Sequence, residues 1–294
     1  MKLPSVPSPV IQLHSKLFSH KKVEIFVKRE DLIHAEIMGN KWRKLKYNLE
    51  EARQLGKNRL VTFGGAYSNH IAATAAAAKL YGFRSKGIIR GDELSHNSNH
   101  TLQTASGNGM ELEFVSREDF RRLKRAIPAD QGADYWLPEG GTNSLALKGV
   151  SELVEEIAIE FDIVATPVGT GGTMVGLVKG LAGRSMVWGF SVLKGDFMQQ
   201  EVRMLCEENA VPYSNYELFT DYHFGGYGKI NQDLKGFMHS FKQEFGFLLD
   251  PVYTGKMFYG VWEKVENDQI APATRLLLLH TGGLQGIAGY QNRT

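Results

Sequence analysis

Cysteine is almost absent from this sequence: Cys206 is the only one in 294 residues. A single thiol cannot form an intramolecular disulfide framework, and it excludes a zinc site built from a cluster of cysteines. The nine histidines show no metal-ligand spacing, so we expect no metal site. The neighbouring residues Met204-Leu205-Cys206-Glu207 are typical of a half-buried helix, which predicts a packing role for the thiol.

Long apolar runs and an excess of one charge are also lacking. The longest apolar segments, residues 71–78 and 276–279, are well short of the ~20 residues that a membrane span needs. Lys and Arg number 34 against 32 Asp and Glu, which indicates neither a nucleic-acid footprint nor a patch for anionic membranes. Prolines near the N-terminus would interrupt the apolar stretch of a signal peptide. We therefore expect a soluble, cytoplasmic protein.

Short apolar runs alternate with helical patterns along the chain, and this rhythm indicates the fold class. The predicted strands cover residues 23–27, 59–63, 87–90, 112–115, 163–168, 186–192 and 276–279. The predicted helices are one that starts at an Asn40 N-cap and stops at Gly56, then 71–80, 101–106, 117–125, a longer one through Leu153, Ile157 and Ile159, 174–181, and one after the last strand. This alternation predicts an α/β fold with mostly parallel sheets covered on both faces. At roughly 150 residues per domain, the length predicts about two domains.

Glycine is in excess, at 32 of 294 residues, or about 11% against a usual ~7%. Ligands of open α/β sheets bind beyond the carboxyl ends of the strands, where strand–helix loops gather. One glycine cluster could simply make a tight turn, but three at equivalent positions predict a shared small-molecule site. The second of the three combines glycines with two hydroxyls at a helix start and is the best phosphate cradle. The clusters are Gly64-Gly65-Ala66-Tyr67-Ser68-Asn69, Gly169-Thr170-Gly171-Gly172-Thr173 and Thr281-Gly282-Gly283-Leu284-Gln285-Gly286.

A dinucleotide site is the competing interpretation of these loops, but its fingerprint is incomplete. After Gly169 and Gly171, the third glycine position holds Met174, and no suitable acidic residue follows about twenty positions later. The sequence also has no nucleotide-triphosphate loop that ends in Gly-Lys-Ser/Thr. The cradle is therefore expected to hold one phosphate rather than a pyrophosphate.

Two lysines stand in the first turn of the helix that follows Gly39. Lys41 and Lys44 lie one turn apart on the same face, where positive charge opposes the helix dipole at a cost of about 0.3–1 kcal/mol. Tolerated surface lysines are common, so this spacing alone leaves both interpretations open. A lysine near a monophosphate site is what a pyridoxal-phosphate enzyme requires, since it needs an amine for a Schiff base and a separate anion anchor.

At these residues the sequence resembles the pyridoxal-phosphate enzymes grouped as 1-aminocyclopropane-1-carboxylate deaminases and D-cysteine desulfhydrases. The matching motifs occur in family order over nearly the whole chain. They are Gly39-Asn40-Lys41-Trp42-Arg43-Lys44-Leu45, Ser68-Asn69-His70, Gly169-Thr170-Gly171-Gly172-Thr173, Gly226-Tyr227-Gly228, Tyr253-Thr254-Gly255-Lys256 and His280-Thr281-Gly282-Gly283.

The resemblance implies the tryptophan-synthase β-like fold, which is fold type II of the pyridoxal-phosphate enzymes. Two three-layer α/β/α lobes would enclose the cofactor. Residues 1–46 and 146–294 would form the large cofactor-binding lobe, and residues 47–145 a small α/β lobe inserted in it. A homodimer that acts on a small amino acid is the implied assembly.

The resemblance also implies roles for individual residues. Lys41 would bind the cofactor aldehyde and then serve as the base at the substrate α-carbon. Lys44 and the loop Gly169, Thr170, Gly171, Gly172 and Thr173 would hold the phosphate, and Asn69 would hydrogen-bond the phenolic oxygen. Ser68 would contact the substrate carboxylate or act as a catalytic hydroxyl, and Tyr227 and Tyr253 would line the substrate pocket. Thr281, helped by Thr254, would face the pyridine nitrogen.

Structural roles compete with several of these assignments. Ser68 and Asn69 are also ordinary helix-start residues, and the two tyrosines could be loop anchors that pack on the core. His70 and His280 lie beside the motifs and are interpreted as structural or supporting rather than catalytic.

The residue after Tyr253 favours one reaction over another. The cyclopropane-opening deaminases have a glutamate there that pairs with the ring nitrogen, whereas this chain has Thr254, as the desulfhydrases do. A neutral hydroxyl leaves the ring a shallower electron sink, which suffices when a good β-leaving group departs at once. We therefore expect α,β-elimination from D-cysteine or a β-substituted alanine. Ring-opening deamination is the runner-up, and a non-catalytic protein that binds a phosphate-bearing ligand is the third hypothesis.

The sequence departs from typical members of the family in two respects. The chain looks shorter, with compact connections between residues 92 and 130, so loops at the pocket edge could be missing. Ala66-Tyr67 before Ser68 introduces an aromatic ring beside the pocket. Both departures affect the substrate assignment more than the cofactor assignment.

Overall fold

The computed structural model describes residues 2–127 and 132–287, and these contain ten strands and ten α-helices. The strands are β1 (Val10–Leu13), β2 (Glu24–Lys28), β3 (Arg59–Gly65), β4 (Arg84–Arg90), β5 (Met110–Val115), β6 (Asp134–Leu137), β7 (Ile163–Val168), β8 (Met186–Ser191), β9 (Tyr216–Phe219) and β10 (Arg275–Leu279). The helices are α1 (Lys16–Lys21), α2 (Asn40–Gln54), α3 (Asn69–Tyr81), α4 (His100–Gly107), α5 (Arg117–Arg125), α6 (Ser144–Ser151), α7 (Gly172–Leu181), α8 (Phe197–Glu208), α9 (Gln232–Phe245) and α10 (Thr254–Glu266).

The larger sheet has six strands in the order β1-β2-β10-β7-β8-β9. β1 runs antiparallel to β2, and the other neighbours in this sheet are parallel. Alternate side chains of β10 enter opposite cores: Leu277 and Leu279 pack with α6, α7 and α8, and Leu276 and Leu278 pack with α1, α9 and α10. Burial on both faces explains why this strand reads as an unbroken apolar run.

The smaller sheet has four parallel strands in the order β5-β4-β3-β6, all of them between residues 59 and 137. The alanine-rich helix α3 covers one face, and its small side chains are buried on two sides. Ala73, Ala76 and Ala77 pack with α2, and Ile71 and Ala75 pack with α4 and β5. The first turns of α2 and α3 thereby lie next to the carboxyl end of β3.

The predicted α/β class is confirmed, and most predicted strands and helices lie within three residues of their observed ends. One predicted helix is wrong. α6 ends at Ser151, a 3-10 turn covers Glu152–Glu156, and Ile157 is already extended. The apolar positions Leu153, Ile157 and Ile159 look helical because they all pack on the same core, but the chain reaches that core partly as a loop that leads into β7.

Other differences concern helix ends, short strands and three helices that the sequence did not predict, namely α1, α9 and α10. Gly39, with φ 67°, is the N-cap of α2, and Asn40 is the first helical residue, so the predicted Asn40 cap is wrong. The sequence did not predict the short strands β1, β6 and β9. After β10 the structure has a 3-10 turn at Leu284–Gly286, and the rest of the predicted last helix falls outside the described residues. Cys206 is buried on α8, as predicted.

Two kinds of feature are absent from the described residues. No helix there is both long and apolar enough to cross a bilayer. The same residues hold no group of three or more His, Cys, Asp or Glu side chains that could bind a metal ion.

Glycine permits the close packing of α2, α6 and α7. A Cβ atom on Gly149 of α6 would lie 2.0 Å from the backbone oxygen of Arg43 in α2, and one on Gly176 of α7 would lie 2.6 Å from Val150 Cβ. These contacts bring the start of α2 next to the start of α7.

We predict that Gly149→Ala destabilises the protein by about 2 kcal/mol or more, because the added methyl group would force α2 and α6 apart. Urea unfolding would measure the loss. Gly107→Ala is the matched control, since a Cβ there meets open space at the end of α4. The control should be neutral or stabilise by up to ~1 kcal/mol, and an equal loss in both variants would contradict the packing argument.

Candidate active site

A cavity, here called the inner cavity, lies where the carboxyl ends of β3, β7 and β10 meet the first turns of α2, α3 and α7. It contains eleven of the thirteen residues that the sequence predicts for the site, while Tyr227 and Thr254 lie outside it. Its lining is Asn40, Lys41, Lys44, Ser68, Asn69, His70, Gly140, Pro167, Val168, Gly169, Thr170, Gly171, Gly172, Thr173, Met174, Tyr253 and Thr281.

Lys41 extends into this cavity from the first turn of α2. That turn packs directly on the end of β10, because a Cβ atom on Gly39 would lie 1.6 Å from the backbone oxygen of Thr281. Burial lowers the pKa of the Lys41 amine from 10.5 to about 8, and the negative charge of Asp250 opposes the shift. Much of the amine is therefore neutral near pH 8, which is the form that can act as a nucleophile.

A buried ion network fixes α2 two residues after Lys41. Arg43 is 1% exposed and donates from Nε and Nη2 to the two carboxylate oxygens of Glu30, both at 3.0 Å. Its guanidinium also donates to Glu156, with Nη2 to Oε2 at 2.7 Å. This bidentate pairing restrains both the rotation and the position of the helix. Nothing in the local sequence marks Glu30 and Glu156 as partners of Arg43, so this network could not be predicted from the sequence.

The glycine loop before α7 has the geometry of an anion cradle. Gly171 has φ 77° and leads into the first turn of α7, whose N–H groups have no helical acceptors. A Cβ atom on Gly172 would lie 3.0 Å from Lys44 Nζ, so only glycine leaves that space open. Lys44 Nζ donates to Thr142 Oγ1 at 3.0 Å and lies 3.3 Å from the backbone oxygen of Gly140.

The charge on Lys44 has no carboxylate partner among the described residues. Burial lowers the pKa of Lys44 well below its usual value, and the neighbouring Lys41 lowers it further. A bound anion would reverse that shift, because it would stabilise the ammonium form.

Thr142 is a cradle residue that the sequence did not reveal. Its hydroxyl lies 2.7 Å from that of Thr170. The loop that carries Thr142 contains no motif that could have indicated this role.

Asn40 links the lysine helix to the cradle. Its side-chain amide donates to Thr173 Oγ1 at 2.6 Å, which joins the first turn of α2 to the first turn of α7. The residue predicted as a cap is therefore a bridge between the two helices that carry the amine and the anion site.

The first turn of α3 forms a second wall. Ser68 Oγ accepts a hydrogen bond from the N–H of Ile71 at 3.3 Å, so Ser68 caps α3 as well as lining the cavity. Asn69 Oδ1 accepts from Gln285 Nε2 at 2.7 Å, which ties this wall to the loop after β10.

His70 is buried on the same wall, and its hydrogen bonds indicate its tautomer. The hydroxyl of Thr62 donates to the backbone oxygen of Leu137, so it accepts from Nε2–H of His70 at 2.9 Å. Burial lowers the pKa of His70 well below 6.5, and the charges of Lys41 and Lys44 lower it further, which keeps the ring neutral. Within the described part of the chain, its Nδ1 is a buried acceptor without a partner.

Tyr227 and Tyr253 form one aromatic pair at the mouth of the inner cavity. Their rings meet edge to face with centroids 6.1 Å apart, and their hydroxyl oxygens are 3.4 Å apart. Lys256 holds the loop that carries Tyr227 by donating to the backbone oxygens of His223 at 2.8 Å and Gly226 at 2.9 Å. Tyr253 lines the inner cavity, whereas Tyr227 does not, and the two rings pack on each other.

The two candidate threonines have different surroundings. The Thr254 hydroxyl donates to the carboxylate of Asp250 at 2.9 Å and accepts from the N–H of Asp250 at 2.8 Å, and it is fully buried outside the cavity lining. Thr281 lines the inner cavity. Asp250 also accepts from the N–H groups of Val252, Tyr253 and Thr254, so it caps the start of α10. An aspartate just before a proline and a helix is a local signal that could have indicated this cap.

His280 has a structural position, as the sequence analysis expected. It is buried, and its Nε2 donates to the backbone oxygen of Leu248 at 2.8 Å. Its Nδ1 lies 3.4 Å from a carboxylate oxygen of Asp31. These contacts hold the strand end that carries Thr281.

Comparison with known proteins shows the family. Residues 2–282 match the family described as "Pyridoxal-phosphate dependent enzyme". The chain belongs to this family. The resemblance found in the motifs is thus confirmed, and so is the predicted cofactor class.

Individual relatives align with this family member over nearly its whole length. A candidate 1-aminocyclopropane-1-carboxylate deaminase of Pyrococcus abyssi is 33% identical, with 95% of this chain and 90% of that protein covered. A D-cysteine desulfhydrase of Klebsiella pneumoniae is 28% identical, with 99% and 95% covered. The crystal structure of a homologue of 1-aminocyclopropane-1-carboxylate deaminase is 28% identical, covers 99% of this chain and 95% of its own, and has a TM-score of 0.85. The predicted fold type II is therefore confirmed.

The inner cavity fits the cofactor of this family. It has one amine of lowered pKa at Lys41 and, across from it, a cradle that a side chain on Gly172 would fill. The ammonium of Lys44 and the first turn of α7 both suit a phosphate dianion. The amine suits the aldehyde of pyridoxal phosphate, and the cradle suits its phosphate.

We predict that Lys41 in the cofactor-free protein reacts with amine reagents with a midpoint near pH 8, because burial disfavours its charged form. Competitive acetylation with acetic anhydride across pH 6–11, read by peptide mass spectrometry, would measure the midpoint. The exposed Lys16 provides an internal reference. A midpoint for Lys41 above about pH 10 would contradict the burial argument.

Proposed function

We propose that this enzyme catalyses α,β-elimination from a small amino acid, releasing an α-keto acid and ammonia in the manner of a D-cysteine desulfhydrase. The observation that carries the proposal is the composition of the inner cavity. It brings a lysine amine and an anion cradle together with the Thr281 hydroxyl, and none of its lining residues is acidic.

Lys41 is the proposed attachment point for the cofactor aldehyde and the base that removes the proton from the substrate α-carbon. The pKa of about 8 suits this task, since a base works best when its pKa is near the working pH. Pyridoxal phosphate, when bound, supplies the electron sink that makes this proton acidic enough to remove. Lys44, Gly169, Thr170, Gly171, Gly172 and Thr173 are the proposed phosphate ligands.

The first turn of α3 is the proposed site for the substrate carboxylate. Ser68 and the N–H groups at the start of α3 present donors to the cavity, and a helix N-terminus favours an anion. Asn69 is the proposed partner of the cofactor's phenolic oxygen. Tyr227 and Tyr253 would close the substrate pocket from the other side. A Cβ atom on Gly169 would lie 3.2 Å from the Tyr253 ring, so the tyrosine lies beside the cradle loop.

The choice of elimination over ring opening depends on the group opposite the pyridine nitrogen. Thr281 is the proposed partner, and it is a neutral hydroxyl. Thr254 is unavailable for this role, because its hydroxyl both donates to and accepts from Asp250. A neutral partner makes the ring a shallower sink, which suits rapid loss of a thiolate or chloride better than cleavage of a cyclopropane. Ring-opening deamination stays the second candidate, because the Pyrococcus abyssi relative carries that name.

The reaction balances with one water molecule. For cysteine, the Cβ–S bond breaks with its electron pair on sulfur, and the products are hydrogen sulfide, pyruvate and ammonium. Water supplies the oxygen of the keto group after the nitrogen is released.

We also propose that the chain forms two lobes. The large lobe comprises residues 1–46 and 146–294, and the small lobe comprises residues 47–145. Each would contain one of the two sheets, and closure of the lobes on substrate would exclude water from the reacting carbon.

We also propose a homodimer, the commonest soluble assembly, and a cytoplasmic location, with which a single unpaired thiol agrees. Sedimentation velocity would test the dimer, and a single species of about 33 kDa would contradict it.

We predict that a substrate panel separates the hypotheses. D-cysteine and β-chloro-D-alanine should release keto acid, while 1-aminocyclopropane-1-carboxylate should be poor or inert, since its β-carbon is not a good leaving group. Keto-acid release is measured by coupled reduction, with L-cysteine and serine included to define stereochemistry. Preference for the cyclopropane substrate would overturn elimination, and inertness toward every compound would favour the non-catalytic binding protein.

We predict that Lys41→Ala lowers kcat at least ~1,000-fold and leaves the fold intact, because it removes both the attachment point and the base. Thermal unfolding and circular dichroism would check the fold. Lys16→Ala is the control and should retain full activity, since that side chain is exposed on α1. Retained turnover in Lys41→Ala would refute the assignment.

A further inference from the structure

A second, larger cavity opens outward from the inner one. The two share Ser68, Gly140, Gly169, Thr170 and Tyr253, so a ligand can extend from one into the other. This outer cavity has a volume of about 660 Å³. Cavities of ~300–1,000 Å³ hold drug-sized ligands, so the space exceeds what the side chain of cysteine needs.

One wall of the outer cavity is apolar. Helix α8 and the loop before it contribute Leu193, Phe197, Met198, Met204 and Leu205 to the lining. Phe197 is 50% exposed and Met204 is 42% exposed, so this wall presents two large apolar side chains to a ligand. This wall suits a short apolar segment of a ligand.

The charged residues of the outer cavity differ in whether their charge is paired with an opposite one. Lys124 forms an ion pair with Glu139 at 2.7 Å, so its charge is already matched, and Glu201 and Glu208 lie on α8. Arg90, at the carboxyl end of β4, has no ion pair among the described residues.

The exposed side chain of Arg90 lies beside an aromatic ring and a glycine. Its guanidinium carbon lies 5.7 Å from the centre of the Phe120 ring, and a Cβ atom on Gly65 would be 3.5 Å from Nη2. It also lies near the substrate tyrosines: burial raises the pKa of Tyr227, and the positive charge of Arg90 opposes that rise. A guanidinium that has no carboxylate partner within residues 2–127 and 132–287, on the wall of a cavity that leads to the site, is suited to a ligand carboxylate. It can bind such a group through two parallel hydrogen bonds.

We propose that Arg90 is a specificity-determining residue that binds a carboxylate at the far end of the substrate's leaving group. This inference depends on the proposed function and narrows its substrate class to β-substituted alanines whose sulfur carries a short chain with a terminal anion. In the reaction the Cβ–S bond breaks with its electron pair on sulfur, and the sulfur takes up a proton. One substrate and one water thus give a mercapto acid, pyruvate and ammonium.

The test compares two substrates that differ only in charge. S-carboxymethylcysteine and S-carbamoylmethylcysteine, each as D and L forms, have nearly the same size, and the second lacks the anion. The wild-type enzyme should prefer the carboxymethyl compound by kcat/KM. Arg90→Gln should lower kcat/KM for that compound by about 10–100-fold, the usual effect of losing a charge-assisted pair, and leave the carbamoyl compound within twofold.

Two variants control for a general loss of structure. Lys124→Gln removes a positive charge from the same cavity. Because Lys124 is already paired with Glu139, this variant should not change the ratio of kcat/KM between the two substrates. Arg90→Lys should restore part of the preference, because it returns the charge without the fork of donors. An equal effect of Arg90→Gln on both substrates, or no preference in the wild type, would overturn the proposal.

Calorimetric binding of both compounds to cofactor-loaded Lys41→Ala gives a readout that needs no turnover. Tighter binding of the carboxymethyl compound, lost in Lys41→Ala/Arg90→Gln, would support the proposal even if the chemistry of these substrates is slow. Equal binding would overturn it. If β-chloroalanine reacts and neither cysteine derivative binds, the inference about Arg90 fails and the elimination reaction stands; if no compound reacts but binding depends on Arg90, the proposed reaction fails instead.

Discussion

The start of α2 lies against the end of β10 with no space for a side chain between them, and the rest of the site depends on this contact. Gly39 meets the backbone of Thr281 there, so the helix that carries Lys41 begins at the carboxyl edge of the larger sheet. Hydrogen bonds extend the contact to the cradle, where Asn40 reaches Thr173. Any displacement of α2 would therefore move the amine relative to the anion site as well as relative to Thr281.

Two lysines in one desolvated cavity give the site its electrostatic character. Burial lowers the pKa of both lysines, and the charge of Lys41 lowers that of Lys44 further. Among the described residues neither lysine forms an ion pair with a carboxylate. The site thus has positive charge available for a ligand instead of an internal ion pair. Arg43 lies between these two lysines in the sequence, but its charge is matched by the buried carboxylate of Glu30, so α2 keeps its structural charges separate from its functional ones.

Neutral groups dominate the remaining walls of the cavity. His70 is held neutral by burial, Thr281 offers a hydroxyl, and the carboxylate of Asp250 is used by the backbone at the start of α10. Such walls would place no fixed negative charge beside the pyridine nitrogen of a bound cofactor, and this favours the proposed elimination. The outer cavity differs, because it combines an apolar wall with the guanidinium of Arg90, which forms no ion pair with the residues that the structure describes.

The sequence by itself determined the α/β class, the three glycine loops and the lysine that follows Gly39. Those features are local: apolar periodicity reports the burial of one strand or helix, and a glycine loop between a strand and a helix reports one turn. Only the tertiary structure decided the partners of the polar side chains. Asn40 and Thr173 are 133 residues apart, and Arg43 and Glu156 are 113 apart, so no local pattern connects them. For the same reason the sequence could not show that Thr254 is bound to Asp250 while Thr281 faces the cavity, since the two hydroxyls differ only in what the folded chain places around them.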